Sequence, residues 1–198
     1  MEGKIYRREK ENCLREMVFL TDDVLKNCLL SIFYSIFVSS FNISKTTDME
    51  IGQRLPENLG IDQDGNEIKL SDFAGKKLVL YVYPKDSTPG CTTESCNLRD
   101  NYNSLLQKNY AVVGVSIQNQ ASHKKFIEKY QLPFPLIADT EKKLVTSLGA
   151  YGEKKMYGKI SMGTFRTTFI ADEQGVITDI FRPKDIDVKN HASQILEK

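Results

Sequence analysis

Apolar positions along the chain fall into two patterns, short unbroken runs and helix-spaced residues, which alternate after residue 58. Leu78 to Tyr83 is apolar without interruption and Ala111 to Ile117 nearly so. Runs of that length suit strands buried on both faces of a parallel sheet. Pro135 to Asp139 predicts a third, shorter strand. Ahead of these, Leu59 to Asp62, Asp64-Gly65 and Ile68 to Leu70 predict a β-hairpin, because Asp-Gly supplies the positive φ of a tight turn. Ser71-Asp72-Phe73 and Gly75 then turn the chain into the strand at Leu78. The polar stretch after Cys91 predicts a helix to about Lys108, with Leu98, Leu105 and Leu106 facing inward. A second helix, capped at Asn119 or Ser122, runs to Tyr130 and ends ahead of Pro133. Thr140, with Glu141 behind it, opens a third that Gly149 stops. Arg166 to Asp172, a Gln174-Gly175 turn and Val176 to Phe181 predict an antiparallel pair, followed by a helix through Ile195 and Leu196.

Strand, helix, strand, helix, then hairpin and helix is an α/β order, that of a thioredoxin-like fold carrying an N-terminal β-hairpin extension. The domain so predicted spans residues 49–198. Residues 1–48 differ in character. They open with mixed charge from Lys4 to Glu11 and continue into an apolar stretch from Cys28 to Ile43, in which Ser31, Ser35 and Ser39 recur four apart as on one helical face. The stretch is shorter than the roughly 18 apolar residues of a spanning helix. Val38-Ser39-Ser40 only faintly resembles an export cleavage site, and the acid-containing lead-in argues against a signal peptide. An amphipathic appendage, a weak export or membrane segment, and sequence lying upstream of a start at Met49 all remain open, and the last is favoured.

Composition narrows the function classes. The 198 residues are 40% hydrophobic and 27% charged, in keeping with an ordinary soluble protein. The 27 basic and 26 acidic side chains nearly cancel, so no broad basic surface calls for nucleic acid and the substrate is expected to be small. Of the 4 cysteines, Cys13 and Cys28 lie in the dissimilar N-terminal region and are treated as incidental, while Cys91 and Cys96 are too close in sequence to staple a domain. With 2 histidines and no Cys-x-x-Cys, a zinc or c-type haem site lacks ligands.

The candidate chemistry sits in one run, Tyr83-Pro-Lys-Asp-Ser-Thr-Pro-Gly-Cys-Thr-Thr-Glu-Ser-Cys96. A thiol placed where a strand hands over to a helix meets unpaired backbone N–H groups and the positive end of the helix dipole, which favour thiolate over thiol. Free cysteine titrates at about 8.5, and nearby cations or helix N-termini lower this to roughly 3.5–7.5. Pro84, Pro89 and Gly90 fix the loop and let the backbone approach a small ligand. Thr88 offers a hydroxyl that donates and accepts. Arg166, at the start of a core strand that the topology brings beside the Cys91 loop, is the cation expected to support the thiolate.

Pro84-x-x-x-Thr88-x-x-Cys91 resembles the signature of the peroxiredoxins. The Cys91-x-x-x-x-Cys96 spacing resembles that of their Q-type branch, the bacterioferritin comigratory proteins, and the likeness covers about residues 49–198. The resemblance implies a thiol peroxidase acting on hydrogen peroxide and organic hydroperoxides. Cys91 would be the peroxidatic thiol, with Arg166 pairing with the thiolate and the peroxide. Thr88 would hydrogen-bond the incoming oxygen, Pro84 would shield the sulfur from water, and the Cys91 backbone N–H would help hold the peroxide. The Cys91 sulfenic acid would condense with Cys96 as resolving thiol, and thioredoxin would reopen the disulfide. No metal, haem, flavin or nicotinamide is implied, and the expected state is a cytoplasmic monomer in an antioxidant role.

Plainer readings stand beside these. Cys91 and Cys96 can be core packing, and Arg166 a surface strand residue. Glu94 reads as a dipole-compatible charge without a catalytic part, and His123 and His191, in polar company, as solvent-exposed. A peroxide sensor would carry the same sulfenic acid but need consume peroxide only once. A thioredoxin-type disulfide exchanger is disfavoured, since Cys-x-x-Cys is missing and Thr167 stands where a proline would precede the strand.

Overall fold

The computed structural model describes residues 48–156 and 159–198. The expectations for the extension at 1–48, Cys13 and Cys28 included, fall almost wholly outside these residues. The two apolar runs become β3 (Lys77–Val82) and β4 (Tyr110–Ser116), paired in parallel at the centre of the molecule. Side-chain alternation explains why β3 carries no polar break. Leu78, Leu80 and Val82 enter one hydrophobic cluster with Leu55, Leu59 and Leu148, while Val79 and Tyr81 enter a second with Leu98, Phe126 and Ile195. A strand covered on both faces has no position left for a solvated side chain. Gly114 in β4 is a spacing requirement, because a Cβ there would fall 2.8 Å from the Tyr81 ring.

The predicted hairpin is β1 (Asn58–Ile61) and β2 (Glu67–Lys69), and its turn is closed by the Asp62 carboxylate, which accepts from the backbone N–H of Asp64 and Asn66 at 2.8 and 2.9 Å. A 3₁₀ turn over Leu70–Phe73 leads into β3. The sheet is completed by β5 (Leu136–Ala138), parallel to β4, and by β8 (Thr167–Ala171) and β9 (Ile177–Phe181), antiparallel on the other side of β3. Its order is β5-β4-β3-β8-β9. Between β5 and β8 lies an antiparallel hairpin, β6 (Tyr151–Met156) and β7 (Lys159–Thr164), that the hydrophobic pattern does not announce.

The helices depart from expectation at their ends. The helix expected from Cys91 to Lys108 is two, α1 (Pro89–Asp100) and α2 (Tyr102–Gln107), broken at Asn101 where ψ is 12°. It also begins two residues before the thiol, with proline at its first position, where a missing N–H costs nothing. α3 (Gln120–Tyr130) is capped as predicted by Asn119, whose side chain accepts from Ser122 N at 2.9 Å. α4 (Lys143–Ser147) starts later than Thr140. Its amides at Lys143 and Val145 donate to the Asp139 carboxylate at 2.9 and 2.8 Å, so an acid that read as a strand end is the cap. α5 (His191–Leu196) closes the chain. No helix among the described residues is long and apolar enough to cross a membrane.

Candidate active site

Cys91 is the third residue of α1, so its amide is among the first-turn N–H groups with no intrahelical acceptor; the first helical bond is Thr92 N to Thr88 O at 2.9 Å. Its side chain is buried at 2% exposure, packed with Tyr81, Tyr83 and Leu98. The loop that delivers it, 83–88, is pinned from below. Asp86 accepts from Tyr83 Oη at 2.7 Å and Ser122 Oγ at 2.5 Å, and lies 2.9 Å from His123 Nδ1. His123 Nε2 faces the Ile137 carbonyl at 3.1 Å and donates to it. Burial alone would raise the Asp86 carboxyl, but the hydrogen bonds from His123 and Ser122 outweigh it and hold the group below the usual carboxylate value. A loop residue with positive φ, Ser87 at 57°, is thereby kept in place.

Arg166 stands immediately before β8 and spans two partners. Nη2 lies 3.2 Å from Cys91 Sγ, and Nη1 pairs with Glu94 Oε2. The guanidinium passes over Gly90, where a Cβ would sit 3.5 Å from Nη2. Thr88 and Pro84, on the loop that leads to the thiol, are half-buried, and the Thr88 hydroxyl donates to the Lys85 carbonyl at 3.0 Å. Cys96 is a free, partly exposed thiol further along the same helix. Of the five residues expected at the site, Arg166 reaches the Cys91 sulfur directly, while Pro84 and Thr88 lie on the loop that leads into α1.

Three readings from sequence are corrected here. Glu94 is more than a dipole-compatible charge near a helix start; it is fully buried, and the cost of burying it exceeds the attraction of Arg166, so its carboxyl is pushed up to about 7. Its spacing of three from Cys91 on one helix face was the available signal. His123 and His191 are both fully buried. His123 shares the inward face of α3 with Phe126, a spacing that could have placed it; His191 is buried by packing on α1 and β8, for which the local sequence holds no signal. A second cation was also missed. Lys154 on β6 donates from Nζ to the Thr164 carbonyl and lies 5.3 Å over the Phe165 ring. Burial and then Arg166 lower its pKa, against the pull of Cys91.

The model of the AhpC/TSA family matches residues 51–180. Peroxiredoxin Bcp of Bacillus subtilis is 42% identical over 149 residues, which is 75% of this chain and 94% of that protein. Among solved structures, a peroxiredoxin Q variant from Xylella fastidiosa aligns with a TM-score of 0.69 at 33% identity, covering 76% of this chain and 95% of that one. The Xanthomonas campestris bacterioferritin comigratory protein, described for its alkyl peroxide reduction activity, aligns with a TM-score of 0.68 at 32% identity over 75% and 96%. Sequence, thioredoxin-like sheet and the cysteine environment agree: this chain belongs to the AhpC/TSA family, in the Bcp/peroxiredoxin Q branch of the peroxiredoxins.

Proposed function

We propose that this chain is a thiol peroxidase that reduces hydrogen peroxide and organic hydroperoxides, with Cys91 as the reacting thiol and Cys96 as the thiol that resolves it. The observation that carries the assignment is the 3.2 Å approach of Arg166 Nη2 to a buried Cys91 Sγ at the open end of α1. A permanent cation and free helix amides beside a sulfur favour its thiolate, the nucleophilic form. The thiolate attacks one peroxide oxygen, the O–O bond breaks, and the sulfur keeps that oxygen as sulfenic acid. The other oxygen takes a proton and departs as water or alcohol. Arg166 and the Cys91 amide meet the charge that develops on the oxygens. The Thr88 hydroxyl turns from the Lys85 carbonyl to the peroxide, and Pro84 keeps water from the sulfur.

The Cys96 sulfur then attacks the sulfenic sulfur, an S–S bond forms, and the oxygen leaves as water. A dithiol reductant, thioredoxin in this reading, reopens the disulfide. Thiol chemistry carries every step, so no metal, haem, flavin or nicotinamide is called for. The protein acts as a monomer in the cytoplasm, on the domain that follows residue 48.

Peroxide consumption coupled to thioredoxin and its reductase tests the assignment. Cys91→Ser is expected to be inactive, and Cys96→Ser to consume peroxide once and stall as a sulfenic acid that drifts to sulfinic. Arg166→Ala is expected to slow the reaction and move the thiolate titration to higher pH. Turnover by Cys91→Ser would overturn the proposal.

A further inference from the structure

Arg166 turns one nitrogen to Cys91 and the other to Glu94, and beyond Glu94 lies a buried polar group that the peroxide reaction as written does not use. Glu94 Oε1 has no hydrogen-bond partner among the described residues. It lies 3.9 Å from His191 Nε2, and both side chains are fully buried. The protonation of that imidazole can be read from its neighbours. Gln194 donates from Nε2 to the Asp185 carbonyl at 2.8 Å and accepts at Oε1 from Asp187 N at 3.0 Å, which fixes the orientation of its amide. His191 Nδ1, 3.2 Å from that same Oε1, therefore carries a hydrogen and donates it. Burial keeps the ring neutral, so Nε2 is bare, and Thr168 Oγ1 at 2.8 Å donates to it. An edge-on contact with Phe181, ring centroids 5.4 Å apart, holds the imidazole in this orientation.

The unpartnered carboxylate oxygen thus faces a lone pair and a hydroxyl already committed elsewhere. A carboxylate there meets repulsion, while a protonated carboxyl has an acceptor within about 1 Å of hydrogen-bond range. The other groups that act on Glu94 do not change this. Arg166 is always charged. Tyr81, on the strand beneath, is held neutral by burial. Cys91 on its own helix adds negative charge when ionised. Behind His191, the charges of Arg166 and Asp187 act in opposite directions.

We infer that Glu94 and His191 hold one proton as a buried pair behind Arg166, and that His191 and Thr168 are positioning residues that decide how readily Glu94 ionises, and so how much of the Arg166 charge remains for the Cys91 thiolate and its peroxide. The inference rests on Cys91 being the reacting thiol. While Glu94 is protonated, Arg166 is a full cation to the sulfur. Once Glu94 ionises, the guanidinium is shared between two anions, and its support of the thiolate and of the breaking O–O bond weakens. Burial pushes the Glu94 carboxyl up to about 7, which puts this change in the neutral range.

The test is the second-order rate of oxidation of the reduced full-length protein by hydrogen peroxide in single turnover, followed across roughly two pH units either side of neutrality. For wild type the rate is expected to rise as the thiolate forms and then fall as Glu94 ionises. Glu94→Gln keeps an acceptor for Arg166 without the charge and should lose the falling limb. His191→Phe removes the acceptor and should move that limb to lower pH. Thr168→Val removes the competing hydroxyl donor, leaves Nε2 wholly to the Glu94 proton, and should move it to higher pH. One hydrogen bond of ordinary strength corresponds to roughly half to one pH unit in either direction. General loosening of the site cannot shift the limb oppositely in the two variants. If His191→Phe does not fold, Glu94→Gln and Thr168→Val carry the test. A wild-type profile without a falling limb, a Glu94→Gln profile that keeps it, or shifts of the same sign in both variants would overturn the inference. Cys91→Ser separates the two claims: if it still reacts with peroxide, the assignment of the thiol fails first.

Discussion

Glu94 and His191 each resist charge because they are buried, and their pKa values move in opposite directions, to about 7 and about 4 from ordinary values of 4.5 and 6.5. A raised acid stabilises the fold below its unfolded value and loses that contribution as pH climbs to the folded one. A lowered histidine does the reverse, its contribution being complete above 6.5 and lost as pH falls toward 4. Between pH 4.5 and 6.5 folded and unfolded chains therefore hold one proton each on this pair, on the carboxyl when folded and on the imidazole when unfolded, and the two slopes cancel. Removing one partner exposes the other. Glu94→Gln should gain stability relative to wild type as pH rises from 4.5 to 7, by on the order of 3 kcal/mol in all, and show a constant difference outside that window. Urea unfolding of the reduced proteins at a series of pH values reads this directly, and a flat difference would show that Glu94 is ionised in the fold. Pairings of this kind are also what a residue-by-residue reading misses. Pro84, Thr88 and Cys91 are legible because their relation is local, and Arg166 because a strand start is easily placed. The burial of Glu94 and His191 is created by α5 meeting α1, a contact between residues almost a hundred positions apart.

At the scale of elements, the helix that activates Cys91 also keeps it from Cys96. Five residues at 1.5 Å rise separate the two Cα atoms by about 7.5 Å along the axis, beyond the roughly 4.4–6.8 Å that a disulfide spans. The start of α1 must open before the bond can close. What resists opening lies next to Cys96. Asn97 donates to the Lys189 carbonyl at 2.7 Å and accepts from Ala192 N at 2.8 Å, so a side chain of α1 caps the first turn of α5, whose own Asn190 makes no capping bond. Asn97→Ala should release this latch and speed disulfide formation after a single peroxide pulse by on the order of tenfold, taking about 1.4 kcal/mol for bonds partly lost on opening. Trapping of free thiols over time measures the rate, and sulfinic acid under excess peroxide should fall with it. Unchanged or slower closure would show that α1 opens without disturbing α5. The same scale shows why some elements were legible and others not. β3 and β4 announce themselves because both faces are covered. β6 and β7 carry exposed Ile160 and Met162 among lysines and glycines, bury no continuous face, and so leave no period to detect. The cap of α4 was misplaced because Asp139 serves two elements at once.

For the molecule as a whole, the question is how much chain the domain needs. The described residues from 48 onward form one compact unit, and their N-terminal segment is tied to β9 and the loops around it. Gly52 N donates to Ile177 O at 2.8 Å, Leu55 N to Gly175 O at 2.9 Å, and the Arg182 guanidinium to the Met49 carbonyl at 3.1 Å. Leu55 is 2% exposed in the core cluster that also holds Leu59 and Leu70. A chain beginning at Thr46 keeps every one of these contacts together with Cys91, Arg166, Glu94 and His191. It should melt cooperatively and consume peroxide with thioredoxin at close to the full-length rate. A chain beginning after Leu55 loses the two backbone bonds made by Gly52 and Leu55, the Arg182 bond to Met49 and one buried leucine. Loss of the leucine alone costs about 2–5 kcal/mol, a large part of what a domain of this size has in hand, so its melting midpoint should drop sharply even where α1 and the active-site loop are unaltered. Thermal unfolding and coupled peroxide consumption of both truncations decide the matter. If the chain starting at Thr46 is insoluble or inactive, the first 45 residues pack on the domain and belong to it; if the shorter chain melts with the longer, the segment from Met49 to Leu55 is dispensable and the core begins at β1.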